Sequence, residues 1–270
     1  MDRRNWPPAG HSKKTDLDIL FHHAWQLPST LRQELANCQT SRMKNLKSRY
    51  LSDVDVSTAL VAAALNYAFQ QLAGDTSGHD PHHVMRVFKM AQRLAEAEGA
   101  DLQTVELIAA LHDVKDFKFT GDEMSGALDA RRWLLEQDAD PDLAELVARN
   151  IAGISFKGAG TRTKPLTIEG KCVQDADRLD AVGAIGVARC FAYGGTKDRP
   201  IHDPETAVAH HSTTEQYLSH QGTSINHFYE KLLLLKDRMH TQTAKDLAVE
   251  RHTFMEGYLQ QFFNEWEARS

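Results

Sequence analysis

From Asp53 to the C-terminus the apolar residues of this chain recur at intervals of three and four, and sustained alternation of apolar and polar residues is scarce. That rhythm places one face of each segment against a common core when the segments are helical, and it does not suit a pleated strand. The fold class expected is therefore all-α, a helical bundle. Val56, Leu60, Val61, Ala64, Leu65 and Phe69 mark a helix over 54–69, and Pro81 sits in the first turn of the next, which runs to about residue 97. Asp101 reads as the N-cap of a helix over 102–111. Further helices are expected over 122–137, 141–151, 168–191, 203–219, 224–239 and 243–267. Loops are expected at 158–165 and at 193–204, where Gly194, Gly195, Pro200 and Pro204 gather.

Residues 1–52 read differently. A flexible start with Pro7, Pro8 and Gly10 precedes helical appendage segments in which Pro28 opens a new helix, and the main domain is expected over 53–270. The chain has 270 residues, of which 41% are hydrophobic and 25% charged, enough to bury one substantial core. The net charge of −6 and the absence of a long Lys/Arg run speak against a nucleic-acid surface, whereas a small phosphorylated ligand needs only a local positive pocket. Cys38, Cys172 and Cys190 are few and far apart, so they read as free thiols. No apolar stretch approaches the roughly 18 residues of a membrane span, and the opening MDRRNWPPAGHSKKTD has no apolar signal core. The expected location is cytoplasmic.

Three polar signals interrupt the apolar pattern. In GHDPHHVMRV, residues 78–87, helical spacing brings His79, His83 and Arg86 onto neighbouring turns. In LIAALHDVKDFKF, residues 107–119, the doublet His112–Asp113 ends an otherwise apolar helix. Burying an imidazole and a carboxylate there is costly unless they are paired, and either a bound cation or a His–Asp hydrogen bond would do it. In KCVQDADRLDAVGAIGVARCF, residues 171–191, Asp177 and Asp180 approach one helical face while Asp175 points elsewhere. A buried Asp–Arg network through Arg178 would account for those acids without a ligand.

Together these segments give the ordered pattern His, His-Asp, Asp, and in it the chain resembles the HD-domain phosphohydrolases. More narrowly, GHDPHHVMRV, LHDVKDFKF, ISFKG, QDADRLDAVGAIGVARCF and INHFYEKLLLLKDRM look like the bacterial-type members that cleave nucleotide phosphate or pyrophosphate bonds, a likeness covering about residues 53–268. The resemblance implies an HD-domain helical bundle and one divalent metal held by His83, His112, Asp113 and Asp177. His79 and His82 are left out of that set. A mixed nitrogen and oxygen set accepts Co²⁺, Ni²⁺, Fe²⁺, Zn²⁺ or Mg²⁺; Mn²⁺ is the first choice by resemblance.

The same likeness points to Asp116, four residues after His112, as the group that orients or deprotonates water. Lys118 and Lys157, each beside a phenylalanine and a glycine-bearing loop, are the cationic candidates for substrate phosphate. Arg86 and Asp180 are expected to support the metal shell, Arg86 by pairing with Asp80 or Asp177. His210 and His211 read as a surface pair, and His227 falls in a segment that packs near the catalytic core in relatives. The activity implied is metal-dependent hydrolysis of a nucleotide phosphoanhydride through a metal-bound water, nucleoside triphosphate giving monophosphate and pyrophosphate. The alternatives are a phosphomonoesterase acting on a nucleotide or sugar phosphate, and a nucleotide-binding regulator with little turnover. Neither GxGxxG nor a Walker A sequence occurs, so kinase chemistry and nicotinamide binding gain no support.

Overall fold

The computed structural model of the chain describes residues 55–73, 78–115, 124–154, 166–209 and 222–269, all within the compact unit Arg49–Ser270. Among them there is no strand. The helices are α1 (Ala59–Gln71), α2 (Pro81–Glu98), α3 (Leu102–Leu111), α4 (Ser125–Glu136), α5 (Pro141–Ile154), α6 (Ile168–Asp180), α7 (Gly183–Thr196), α8 (Ser224–Glu230) and α9 (Gln242–Trp266). Two 3₁₀ turns, Leu232–Leu234 and Lys236–Arg238, join α8 to α9.

The sequence of α3, LQTVELIAAL, is apolar on nearly every side, and such a helix belongs in the interior. Every residue from Thr104 to Leu111 is buried, with α1, α2, α5 and α6 packed around them. Phe69, Phe88, Leu107, Ile108, Leu111 and Leu179 are fully buried, each contributing about 1.5–3 kcal/mol through the apolar surface it removes from water. The acid on this helix, Glu106, is compensated: its carboxylate accepts from the Ser57 backbone and hydroxyl and from Gln92. No helix of the described residues is long and apolar enough to cross a membrane.

The starts of α2 and α3 follow the expected signals. Asp80 accepts from the His83 N–H with Pro81 in the first turn, and Asp101 accepts from the Thr104 N–H. α1 begins later than expected, at Ala59, because Thr58 is its cap and Ser57 is drawn away to Glu106. The expected helix over 168–191 is two helices. α6 stops at Asp180, Val182 is extended, and Gly183 takes a left-handed φ of 74° as the first residue of α7.

α7 then runs on to Thr196, so Gly194 and Gly195 are helical rather than part of a loop. A Cβ on Gly194 would collide with the Ser224 hydroxyl, so this glycine serves the close approach of α8. Over 203–209 the expected helix is absent: the Asp203 carboxylate accepts from the Glu205 N–H and the Thr206 hydroxyl and holds a turn, and 210–219 lie outside the described residues. The expected helix over 224–239 breaks after Glu230, where Lys231 leaves helical geometry and Leu232, on the first 3₁₀ turn, and Leu235, just after it, are buried. The loop expected at 158–165 also lies outside the described residues.

Candidate metal centre

The site forms where α2, the end of α3 and α6 meet. α2 and α6 pack side by side, bringing the first turn of one against the last turn of the other. His83, in that first turn, is fully buried, and His112 and Asp113 emerge from the buried end of α3, each 3% exposed. Asp177 reaches in from α6 with its side chain 26% exposed, leaving the cluster one open side.

The His83 Nε2 lies 3.1 Å from Asp113 Oδ2, 3.5 Å from Asp177 Oδ1 and 3.4 Å from His112 Nε2. The His112 Nε2 is 3.7 Å from Asp113 Oδ1. Donor atoms about 2.1 Å from one cation, at tetrahedral or octahedral angles, stand roughly 3–3.5 Å apart, so these spacings suit a shared ion.

The tautomers of the two imidazoles sharpen this. The His112 Nδ1 faces the Ala109 carbonyl at 2.8 Å, and a carbonyl only accepts, so Nδ1 carries the proton. The His83 Nδ1 faces Asp180 Oδ2 at 2.7 Å and is likewise the donor. In the neutral rings each Nε2 then keeps a lone pair, and the two atoms stand 3.4 Å apart. An imidazole backed by a carboxylate or carbonyl is the usual arrangement of a metal-bound histidine.

Burial and the Arg189 charge push the His83 pKa down, but hydrogen bonds to Asp113 and Asp180 outweigh them and raise it above the ordinary value. Burial works to raise Asp113, yet the neighbouring His79 and His112 hold it well below the usual carboxylate range. A divalent-metal-binding His/Asp cluster is thus present, in the groups His83, His112, Asp177 and His79, His83, Asp113.

His79 touches the cluster in a different way. Its Nδ1 is 2.6 Å from Asp113 Oδ2, a direct hydrogen bond and too close for two ligands of one ion. It bonds the same Asp113 oxygen that lies 3.1 Å from His83 Nε2, a contact that its place four residues before His83 did not disclose.

Asp180 carries the heaviest load of donors. Arg86 binds it through both Nε at 2.7 Å and Nη2 at 3.0 Å, and Arg189 donates Nη1 to Oδ2 at 3.0 Å. Burial alone would raise this carboxyl, but His83 and the guanidinium groups hold it far below the usual range, so it remains an anion. The ion pair seen for Arg86 is with Asp180, whereas the expected partner Asp80 caps α2. The Arg178 network that would have explained the acids without a ligand is not seen among the described residues: Arg178 donates to the Arg238 carbonyl and lies against His240. Asp175 points away from the cluster, as its spacing predicts, and binds the backbone at His240 and Thr241.

Asp116, Lys118 and Lys157 lie outside the described residues, as do His210, His211 and Cys38. The residue before Asp116 is described: Lys115 has a left-handed φ of 53°, and its ammonium is 2.7 Å from Asp129 Oδ1. Phe228 stacks on Tyr258 in the core, consistent with a packing role for the segment around His227.

Comparison with known proteins agrees with this geometry. The HD domain family model matches residues 82–182, which contain His83, His112, Asp113 and Asp177. A crystal structure from Lactobacillus plantarum is 41% identical, covers 79% of this chain and 100% of its own, and superposes with a TM-score of 0.72. An HD-superfamily hydrolase from Bacillus thuringiensis is also 41% identical, over 77% of this chain and 97% of its own, with a TM-score of 0.60. YpgQ of Bacillus subtilis is 40% identical over 192 residues, 70% of this chain and 85% of its own length. Its crystal structure in complex with ADP superposes with a TM-score of 0.58, at 31% identity over 76% of this chain and 97% of that one. Sequence, fold and cluster geometry converge: the chain belongs to the HD-domain superfamily and is a metal-dependent phosphohydrolase.

Proposed function

We propose that this enzyme hydrolyses a nucleotide phosphoanhydride, converting a nucleoside triphosphate to the monophosphate and pyrophosphate, with one Mn²⁺ held by His83, His112, Asp113 and Asp177. The observation that carries the ligand set is the convergence of the two Nε2 atoms, 3.4 Å apart, with carboxylate oxygens of Asp113 and Asp177 beside them. The direct His79–Asp113 hydrogen bond supports one ion over two. The ADP complex of YpgQ supports a nucleotide, and the net charge of −6 suits a small phosphorylated substrate better than a nucleic acid. The hydrolase domain is assigned to 53–270 and the appendage to 1–52.

When bound, the cation neutralises phosphoryl charge and lowers the pKa of water in the site. The chain's own residues do the rest. Asp180 keeps the Nδ1 proton of His83 in place and so aims Nε2 inward. His79 fixes the rotation of the Asp113 carboxylate. Asp116 takes the proton of the attacking water, and Lys118 and Lys157 bind phosphoryl oxygens as point charges.

The test is phosphorus NMR of a deoxynucleoside triphosphate pool incubated with metal-free protein before and after Mn²⁺ addition, with Asp177→Ala and Asp116→Asn alongside. Pyrophosphate from the Mn²⁺-loaded wild type alone is expected. Orthophosphate released from nucleoside monophosphates would instead identify a phosphomonoesterase. Saturable binding without products would identify a regulator, and full turnover by Asp116→Asn at unchanged metal occupancy would remove the base assignment.

A further inference from the structure

α7 supplies none of the cluster's donors, yet one of its side chains is built into the site. Arg189 is 16% exposed, and its Nη1 donates to the same Asp180 oxygen that accepts the His83 Nδ1–H. Its Nε turns the other way and donates to the Gly78 carbonyl at 3.1 Å. Gly78 has a φ of 92°, and a Cβ there would meet Arg189 Nε at 3.4 Å, so the guanidinium lies close along this stretch of backbone. The next residue is His79, whose ring holds Asp113.

Two separate chains of contact thus end on one guanidinium. One runs from Arg189 through Asp180 to His83; the other runs from Arg189 through Gly78 and His79 to Asp113. We propose that Arg189 is a positioning residue of the metal centre, whose fork sets His83 and Asp113 together and so couples the seating of α7 to metal affinity. This rests on the ligand set proposed above. Charge is not the distinctive contribution, because Arg86 already pairs with Asp180 through two bonds. The distinctive contribution is the span: a planar fork reaches a carboxylate and a carbonyl at once, whereas a lysine ammonium in the same place is a single point.

The experiment is calorimetric Co²⁺ titration of the metal-free full-length protein, with the visible spectrum of the Co²⁺-loaded form as a report on coordination. It compares wild type, Arg189→Met, Arg189→Lys, Gly78→Ala and Asp177→Ala, with melting temperatures recorded separately. Loss of a group that orients metal ligands weakens affinity by about 10–100-fold. Arg189→Met is expected in that range with an altered Co²⁺ band, and Arg189→Lys near its lower end, about tenfold. Gly78→Ala is expected to weaken binding in the same direction with Arg189 intact.

Wild-type Co²⁺ affinity and spectrum in Arg189→Lys would overturn the proposal whatever its melting temperature, and that variant decides alone if Arg189→Met does not fold. Wild-type binding by Asp177→Ala would instead overturn the ligand set, and this inference with it. Lost binding in Asp177→Ala with unchanged binding in Arg189→Lys would remove the inference alone.

Discussion

Asp175 and Asp177 sit two residues apart on α6 and point to opposite sides, so exchanging each for alanine separates stability from metal binding. Asp175 is fully buried and accepts from the His240 N–H at 2.9 Å, the Thr241 N–H at 2.7 Å and the Thr241 hydroxyl at 2.9 Å. Thr241 is the N-cap of α9, a helix of 25 residues, so this carboxylate anchors the positive end of the longest helix in the fold's described part. Asp175→Ala strands three donors in a place where Thr241 is only 3% exposed. At about 1–3 kcal/mol for each stranded group, less what admitted water recovers, the net loss is about 3–5 kcal/mol. For a domain of this size that lowers the melting temperature by roughly 10 °C. Asp177, with 26% of its side chain in solvent, is expected to alter metal-free stability by no more than about 1 kcal/mol.

The assay is scanning calorimetry with chelator and then with saturating Mn²⁺. A ligand at a hundredfold excess over its dissociation constant adds about 2.7 kcal/mol to the wild type. Asp175→Ala should melt lower in both conditions with that increment preserved; Asp177→Ala should melt normally in chelator and gain nothing from Mn²⁺. The reasoning fails if metal-free Asp175→Ala melts within a degree or two of wild type, or if Asp177→Ala keeps the increment.

Acid sensitivity follows from Asp129 and Asp180. Burial works to raise both, but Lys115, Tyr67 and Arg132 outweigh it at Asp129, and His83, the Arg86 guanidinium and Arg189 outweigh it at Asp180. Each folded pKa therefore lies below the ordinary 3.8, so in the window beneath that value the unfolded chain binds more protons than the folded one. The stability they provide is fully present above about pH 5 and falls as the pH drops toward the folded values. Urea midpoints of the metal-free protein should decline from pH 5 to pH 2.5 with a shallower slope in Asp129→Asn; a flat wild-type profile would contradict the ion pairs. Burial pushes the Cys172 and Cys190 thiols up to about 12, so iodoacetamide at pH 8 should label neither in the folded protein and both in urea, as read by peptide mass mapping.

The His/Asp cluster was largely legible in the sequence because each of its parts is a local event on a helix. His83 follows a proline-led first turn capped by Asp80, the His112–Asp113 doublet ends an apolar helix, and Asp177 stands on a helix whose other acids point elsewhere or behind. What escaped was contact between distant segments. Arg86 finds Asp180 across 94 residues, and Arg189 finds Gly78 across 111; periodicity within a helix carries no information about either.

The contacts of Arg189 were hidden by the secondary structure expected around it. Over 168–191 the apolar rhythm runs on without interruption, which is why a single helix is expected there. In a single helix Arg189 would lie roughly 13 Å along the axis from Asp180, out of reach of its carboxylate. The break at Val182 and the left-handed Gly183 turn the chain so that α7 folds back, and only then does the guanidinium come within 3.0 Å of Asp180. Gly183 was the one visible sign of that turn. A Cβ at this position would also press on the Arg251 stem, and Arg251 itself donates to the Leu179 carbonyl, so α9 holds the bend from outside. The helix end that seems a detail of the fold is therefore what gives the metal centre its second arginine.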